Sequence, residues 1–208
     1  NLSSNLIYNS YKPSLKKKRL IFFKNFNGLK IINIGRLTDQ KDQITLLKSL
    51  NLLSKYEINF RCCVIGGGIK KKTLNNYINE KKLNNFVKLI GYKDNAENYL
   101  DSSNLFILTS RYEGLPNVLI EAQSRNLPII SSDCPTGPSE ILLKGKLGDL
   151  FKVGDHKKLS YLITNFVEDK KKLLNKSKKA KKFLKRFELE INCEKYKKII
   201  SDIVDEKI

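Results

Sequence analysis

Short apolar runs and longer amphipathic stretches take turns along this chain. A short apolar run closed by glycine or a polar turn reads as a buried strand, and apolar residues recurring every three to four positions read as one face of a helix. On that pattern strands are predicted at Lys30 to Ile34, Phe60 to Ile65, Val87 to Ile90, Leu105 to Leu108, Pro128 to Ser131 and Gly148 to Phe151. Helices are predicted over Gln43 to Tyr56, with Ile44, Leu47, Leu50 and Leu53 on one stripe, over Lys71 to Lys82, with Leu74 and Ile78 inward, and briefly near Ala96 to Leu100. Leu6 to Ser10 reads as a short extended piece, and Pro13 with Lys16 to Arg19 as loop. This alternation with short connections predicts an α/β fold, a doubly wound, Rossmann-like parallel sheet with helices on both faces. Its crossovers should be right-handed.

The glycines sharpen this picture. Gly35, Gly66 to Gly68, Gly91 and Gly114 each follow a strand, so in a parallel sheet they gather along one edge, where backbone can approach a ligand. Loops use glycine in any case, but four such places make one rim the economical reading. The richest stretch is Ser110 to Ala122, where a strand delivers a Gly114-Leu115-Pro116 turn straight into a helix. Pro116 suits the first helical position, which makes Leu115 the N-cap, and leucine has no oxygen to bond the free amides. Such a start is open to an anion. Glu113 in the loop and Glu121 one turn into the helix can border one mouth; alternatively Glu113 only complements the helix dipole and Glu121 is solvated. Arg36, directly after a strand, and Lys41, beginning the next helix, reach the same rim. Two fixed cations suit a diphosphate whose charge grows as it departs, although either alone is also an ordinary surface cation.

Composition bounds the alternatives. A chain of 208 residues, 40% hydrophobic and 29% charged, can bury one sizeable core. No apolar run reaches the roughly 18 residues of a spanning helix, and Asn1 to Tyr11 lacks a signal-peptide layout, so a cytoplasmic location is expected. Cys62, Cys63, Cys134 and Cys193 form no C-x-x-C pair and read as reduced, structural thiols. His156, the single histidine, reads as an exposed helix-start residue and offers neither a zinc site nor a catalytic triad. Gly66-Gly67-Gly68 lacks the dinucleotide fingerprint spacing and no Walker A pair is present, which disfavours hydride transfer and NTP hydrolysis.

The net charge is +19, and ten of these charges come from Lys170 to Arg186, a segment without an acid. With Phe166, Leu173, Leu174, Ala180, Phe183, Leu184 and Phe187 at near-helical spacing, it is predicted as one basic amphipathic helix. An anionic membrane surface and a merely solvated face in a lysine-rich chain both account for it. Nucleic acid is disfavoured, because no stacking aromatics and no helix-turn-helix, zinc or RNA-binding signature accompany the charge.

Glu113 and Glu121, seven residues apart within Ser110 to Ala122, resemble the paired-glutamate motif of retaining GT-B glycosyltransferases, family four in particular. The segment Gly35-Arg36-Leu37 with Lys41 resembles that family's phosphate-binding stretch, and Gly66 and Gly91 fall at its next strand ends. The resemblance runs from Leu6 to about Tyr196. It implies that Arg36 and Lys41 bind the donor diphosphate, that Glu113 holds hydroxyls of the transferred sugar and that Glu121 holds the nucleotide ribose. Gly35 belongs to the same donor site, and the amides of Gly114, Leu115, Pro116, Asn117 and Val118 are implied to face sugar and phosphates, proline contributing shape only. Gly91, Tyr92 and Lys93 would line the base, and Gly66 would let it pass close. Asp133 to Leu142 is similar to a loop of family members that build capsule, lipopolysaccharide or other surface glycans; Thr136 and Gly137 carry over as site-lining residues, while Glu140 serves equally as a cap for the following helix.

The resemblance also implies retaining transfer of a hexosyl or N-acetylhexosaminyl group from a UDP- or GDP-sugar to a glycan or lipid-linked acceptor. No cofactor or metal is expected, since Arg36, Lys41 and the amides would stabilise the leaving diphosphate. The implied layout is an interdomain linker and lead-in over 1–20, a nucleotide-sugar-binding domain over 21–185 and a C-terminal crossover segment over 186–208. The acceptor domain and its usual histidine are not in this sequence, so the expectation is donor binding without transfer, near the inner face of the membrane if the basic helix is lipid-directed. A nucleotide-sugar epimerase or a non-catalytic nucleotide-sugar module shares these features, and a basic nucleic-acid-binding domain ranks last.

Overall fold

The computed structural model describes residues 7–11 and 18–205. Leu6, Pro13, Lys16 and Lys17 of the lead-in reading lie outside the described residues, and Ile7 to Ser10 carry no regular structure. Six strands form, β1 (Leu29–Ile34), β2 (Phe60–Ile65), β3 (Val87–Gly91), β4 (Leu105–Leu108), β5 (Ile129–Ser132) and β6 (Asp149–Phe151). They pair in one sheet in the order β3-β2-β1-β4-β5-β6, every pair parallel. The chain therefore builds outward from β1 to β3 and returns to start again at β4. Connections leave β1 and β4 in opposite directions, which opens a crevice at their carboxyl ends, where open α/β sheets take ligands. Asn33 reinforces this junction from within, its buried amide donating to the Ile107 carbonyl at 2.8 Å.

Alternation along each strand splits the apolar residues between two faces. Ile31, Cys62, Val64, Leu105 and Ile107 lie in one core cluster with Leu46, Leu47 and Leu50 of α1 (Gln43–Leu53), Leu74 and Ile78 of α2 (Lys71–Glu80), Leu159 and Ile163 of α5 (His156–Glu168) and Leu173 of α6 (Lys170–Ala180). Ile32, Cys63, Ile65, Phe106 and Leu108 belong to the other, with Leu119 and Ile120 of α3 (Asn117–Ser124), Ile141 of α4 (Pro138–Ile141) and Leu100 of a 3-10 helix at Ala96–Ser102. The neighbours Cys62 and Cys63 thus serve opposite cores. Burial pushes the Cys62 thiol well up and that of Cys63 to about 12, and all four cysteines are free.

Several expectations are corrected. The α1 stripe is Leu46, Leu47, Leu50 and Leu53, with Ile44 only partly buried; Lys41 precedes this helix in a turn whose N-cap is Asp42. The Lys170 to Arg186 segment is not one helix. α6 ends at Ala180, and a 3-10 helix, Lys181–Phe187, follows. The break has a packing reason: Leu173 serves the first core and Phe187 the second, so the chain must pass from one side of the sheet to the other. Leu174 and Phe183 are left exposed. Glu140 lies in the first turn of α4, where its charge complements the helix dipole, makes no side-chain cap bond, and accepts a hydrogen bond from the Tyr8 hydroxyl at 2.6 Å. That bond belongs to a set of contacts that ties Tyr8 and Tyr11 to the segment Arg186 to Glu188 and to α4. The Tyr11 amide donates to Phe187, Tyr11 bridges Glu188, and the Arg186 guanidinium donates to the Ile141 carbonyl while lying over the Tyr8 and Phe187 rings. The last helix, α7 (Leu189–Asp205), follows directly.

Candidate functional site

The loop leaving β1 is locked to the exit of β2. The Gly35 amide donates to Ile65 and the Leu37 amide to Gly67, at 2.9 and 2.8 Å. This leaves Arg36 exposed at the rim, its guanidinium donating to the Gln40 side-chain oxygen at 3.2 Å. Gln40 in turn joins the loops of β1 and β4, giving its amide hydrogen to the Tyr112 carbonyl and receiving the Arg111 amide on its own carbonyl. The Thr109 hydroxyl donates to the Lys41 carbonyl at 2.9 Å, and Arg111 pairs with the buried Asp42 at 3.2 Å.

These bonds place Lys41 against Glu113. Their charged groups meet at 2.5 Å with side chains only 16% and 7% exposed, and the Ser110 hydroxyl donates to the same carboxylate oxygen at 2.6 Å. Removing one partner of so shielded a pair strands the other, at a typical cost of about 3–5 kcal/mol. Glu113 is also held through its backbone, since its carbonyl accepts the Thr136 hydroxyl. The loop after β5 therefore reaches the same point, and Gly137 packs directly on the Gly114 carbonyl and Pro116.

The glycines of the rim do different work. A Cβ at Gly66, with φ +155°, would run into the Gly35 carbonyl, so this glycine is required by the contact between two loops. A Cβ at Gly114 meets nothing within 4 Å and one at Gly91, φ +77°, also faces open space. At Gly35 it would lie in ordinary van der Waals contact with the Lys41 stem, at 3.4 Å.

The start of α3 is shifted by one residue from expectation. Pro116 is the N-cap, extended with ψ 95°, and Asn117 is the first helical residue; Leu115 lies before the cap. The consequence survives, because proline brings no capping oxygen and makes no side-chain cap bond. Val118 packs partly buried against the second core while Asn117 is exposed. Glu121 does not share a bond with Glu113. It is half-buried on α3, and that burial, with the Glu97 carboxylate of the 3-10 helix nearby, pushes its pKa up to about 7. The solvated reading of Glu121 is thereby corrected. Tyr92 and Lys93 follow the edge strand β3 and are exposed; two inter-strand spacings put them about 10 Å along the rim from β1. His156 opens α5, which follows the edge strand β6, with Asp155 as its capping neighbour.

Reasoning from sequence missed Gln40, Ser110, Asp42 with Arg111, and Glu97. Gln40 and Ser110 carried a signal, since each adjoins a residue already singled out; the approach of Glu97 to Glu121 bridges two elements and had none.

Residues 16–183 match the family model described as glycosyl transferases group 1. The chain belongs to that family. Among relatives of this group 1 domain, a glycosyltransferase of Methanocaldococcus jannaschii is 44% identical over 133 residues, 64% of this chain and 32% of the relative. An amylovoran biosynthesis glycosyltransferase of Erwinia amylovora is 34% identical over 132 residues, 64% of this chain and 36% of its own length. The chain thus spans about a third of these curated relatives. The HepE protein of Anabaena, solved with UDP, superposes with a TM-score of 0.83 at 21% identity, over 95% of this chain and 57% of that one. Staphylococcus aureus TarM, solved with UDP and glycan ligands, gives 0.80 at 24% identity over 91% and 38%. At such identities the structures show the fold, a GT-B-type Rossmann-like unit.

Proposed function

We propose that this chain is the donor-binding unit of a retaining glycosyltransferase that moves a hexosyl or N-acetylhexosaminyl group from a UDP- or GDP-sugar to a glycan or lipid-linked acceptor in surface-glycan synthesis. The observation that carries the reading is the shielded Lys41–Glu113 pair at the β1/β4 switch point, beside an uncapped helix start. Relatives named for amylovoran and capsular polysaccharide synthesis, and neighbours solved with UDP, support it.

In this reading the diphosphate lies across the rim between Arg36, Lys41 and the first amides of α3. As the bond from the anomeric carbon to the diphosphate oxygen breaks, negative charge grows on that oxygen, and these fixed donors stabilise it with little reorganisation. They take the part a metal plays elsewhere. Glu113, anchored by Lys41 and Ser110, presents its remaining oxygen to sugar hydroxyls; Glu121 accepts the ribose hydroxyls; Gly114 keeps the approach clear, Thr136 and Gly137 close one side, and Gly91, Tyr92 and Lys93 face the base. The acceptor is read by parts of the whole protein beyond this unit, in the cytoplasm.

Calorimetry with UDP, GDP and their sugars tests this. Binding of one nucleotide series is expected, weakened about 10- to 100-fold by Lys41→Ala or Glu121→Ala, the loss of one charge-assisted contact. Absence of heat with every ligand, or full affinity in both variants, overturns it. Product analysis separates transfer from epimerisation, which alters donor without any acceptor.

A further inference from the structure

The densest positive charge lies away from the donor rim. Between the turn at Leu143 to Leu147 and the α6–3-10 junction runs a groove of about 720 Å³. Lys146, Lys172, Lys179 and Lys182 stand along it, all exposed, and none forms an ion pair among the described residues. Lys176 differs from them: it is tied to Asp149 at 2.6 Å and to the Gly145 carbonyl at 2.8 Å, which fixes α6 against the start of β6. The groove is therefore at the edge from which the strands begin, opposite the rim. Between the lysines the surface is apolar, with Phe183 43% exposed and Leu143 half-buried.

We propose that this face is a docking surface for an anionic phospholipid bilayer, with headgroup phosphates among the four lysines and Phe183 entering the interfacial layer. Charge complementarity selects an anion. Lysines around an exposed phenylalanine, carried by α6, the following 3-10 helix and the turn before β6, whose other sides are packed on the core, set long basic side chains beside an apolar wedge as interfacial binding requires. Nucleic acid fits less well, because the groove offers no arginine for bidentate contacts and one ring where a strand needs a series of stacking platforms. Docking here leaves the opposite rim in solvent, free to exchange nucleotide ligands. Bilayer docking uses charge and shape alone and stands whether or not the donor reading holds.

Vesicle co-sedimentation of this chain provides the test. Binding is expected to vesicles of phosphatidylcholine mixed with phosphatidylglycerol and not to phosphatidylcholine alone, and it should fall as salt is raised. The triple variant Lys172→Glu, Lys179→Glu, Lys182→Glu should lose about 100-fold or more in affinity, at about fivefold for each basic residue near the surface. A control with equal charge change, Lys48→Glu, Lys55→Glu, Lys72→Glu, should lose far less. Phe183→Ser and the neutral pair Lys172→Gln, Lys182→Gln give milder losses without charge reversal, with thermal melts confirming the fold of each. No binding to the anionic vesicles, equal loss in both triples, or tighter binding to polyuridylate than to vesicles overturns the proposal.

Discussion

Glu121 sits well above the usual carboxylate range because burial and Glu97 both oppose its charge, and its pKa of about 7 has a definite sign in stability. The folded chain holds this proton up to about pH 7, whereas the unfolded chain releases it near 4.5. More protons are bound in the folded state across that window, so this group's contribution to stability falls as pH rises through it. Glu121→Gln should flatten the slope and stabilise the chain at pH 8 by about 1–3 kcal/mol, read from urea melts at several pH values. A ribose that hydrogen-bonds the charged carboxylate must expel the same proton, so nucleotide binding near pH 7 should show a heat that depends on buffer ionisation enthalpy. The Lys41–Glu113 pair obeys a different rule. Lys41→Met or Glu113→Leu alone should cost about 3–5 kcal/mol, and the double variant should recover much of that, since no charge is then left unpaired. The residue types of both sites were legible in the sequence. Their states were not, because the raised proton affinity of Glu121 and the shielding of Glu113 depend on residues distant in the chain, with Glu97 adding charge repulsion to the one and Lys41 covering the other.

Among the elements, the strand-end glycines divide into those that join loops and those that leave space, and a methyl group tells them apart. Gly66→Ala should destabilise by about 2 kcal/mol or more, because the added carbon collides with the Gly35 carbonyl at a strained φ. Gly114→Ala should leave the melt within about 0.5 kcal/mol and act, if the donor reading holds, on nucleotide-sugar affinity alone. Sequence placed all of these glycines on one edge correctly, from apolar runs that end in glycine. It could not rank them, since the collision at Gly66 involves a neighbouring strand. The same limit explains the two helix errors. The start of α3 moved one residue because Pro116 is extended, and the basic segment broke because Leu173 and Phe187 serve different cores. α7 is a third kind of element. Tyr196, Ile200, Ile203 and Val204 are all exposed on it, so its amides should exchange with solvent well before those of β1, β2 and β4 in native-state hydrogen exchange.

For the whole molecule, the pattern alone led to the parallel sheet, because short, mostly apolar strands alternate with amphipathic helices, and a sheet covered on both faces buries them. The order of the strands was beyond such a signal, and it is the order that creates the crevice. One further property belongs to the entire chain. The segment at Tyr8 and Tyr11 is tied to Arg186 to Glu188, just before α7, and the pair is fastened to Glu140 and Ile141. Those residues lie one turn beyond Gly137, which rests on the Gly114 carbonyl and Pro116. Tension on Tyr8 would therefore be delivered through its bond to Glu140 to Gly137 and the Gly114–Pro116 turn at the floor of the rim.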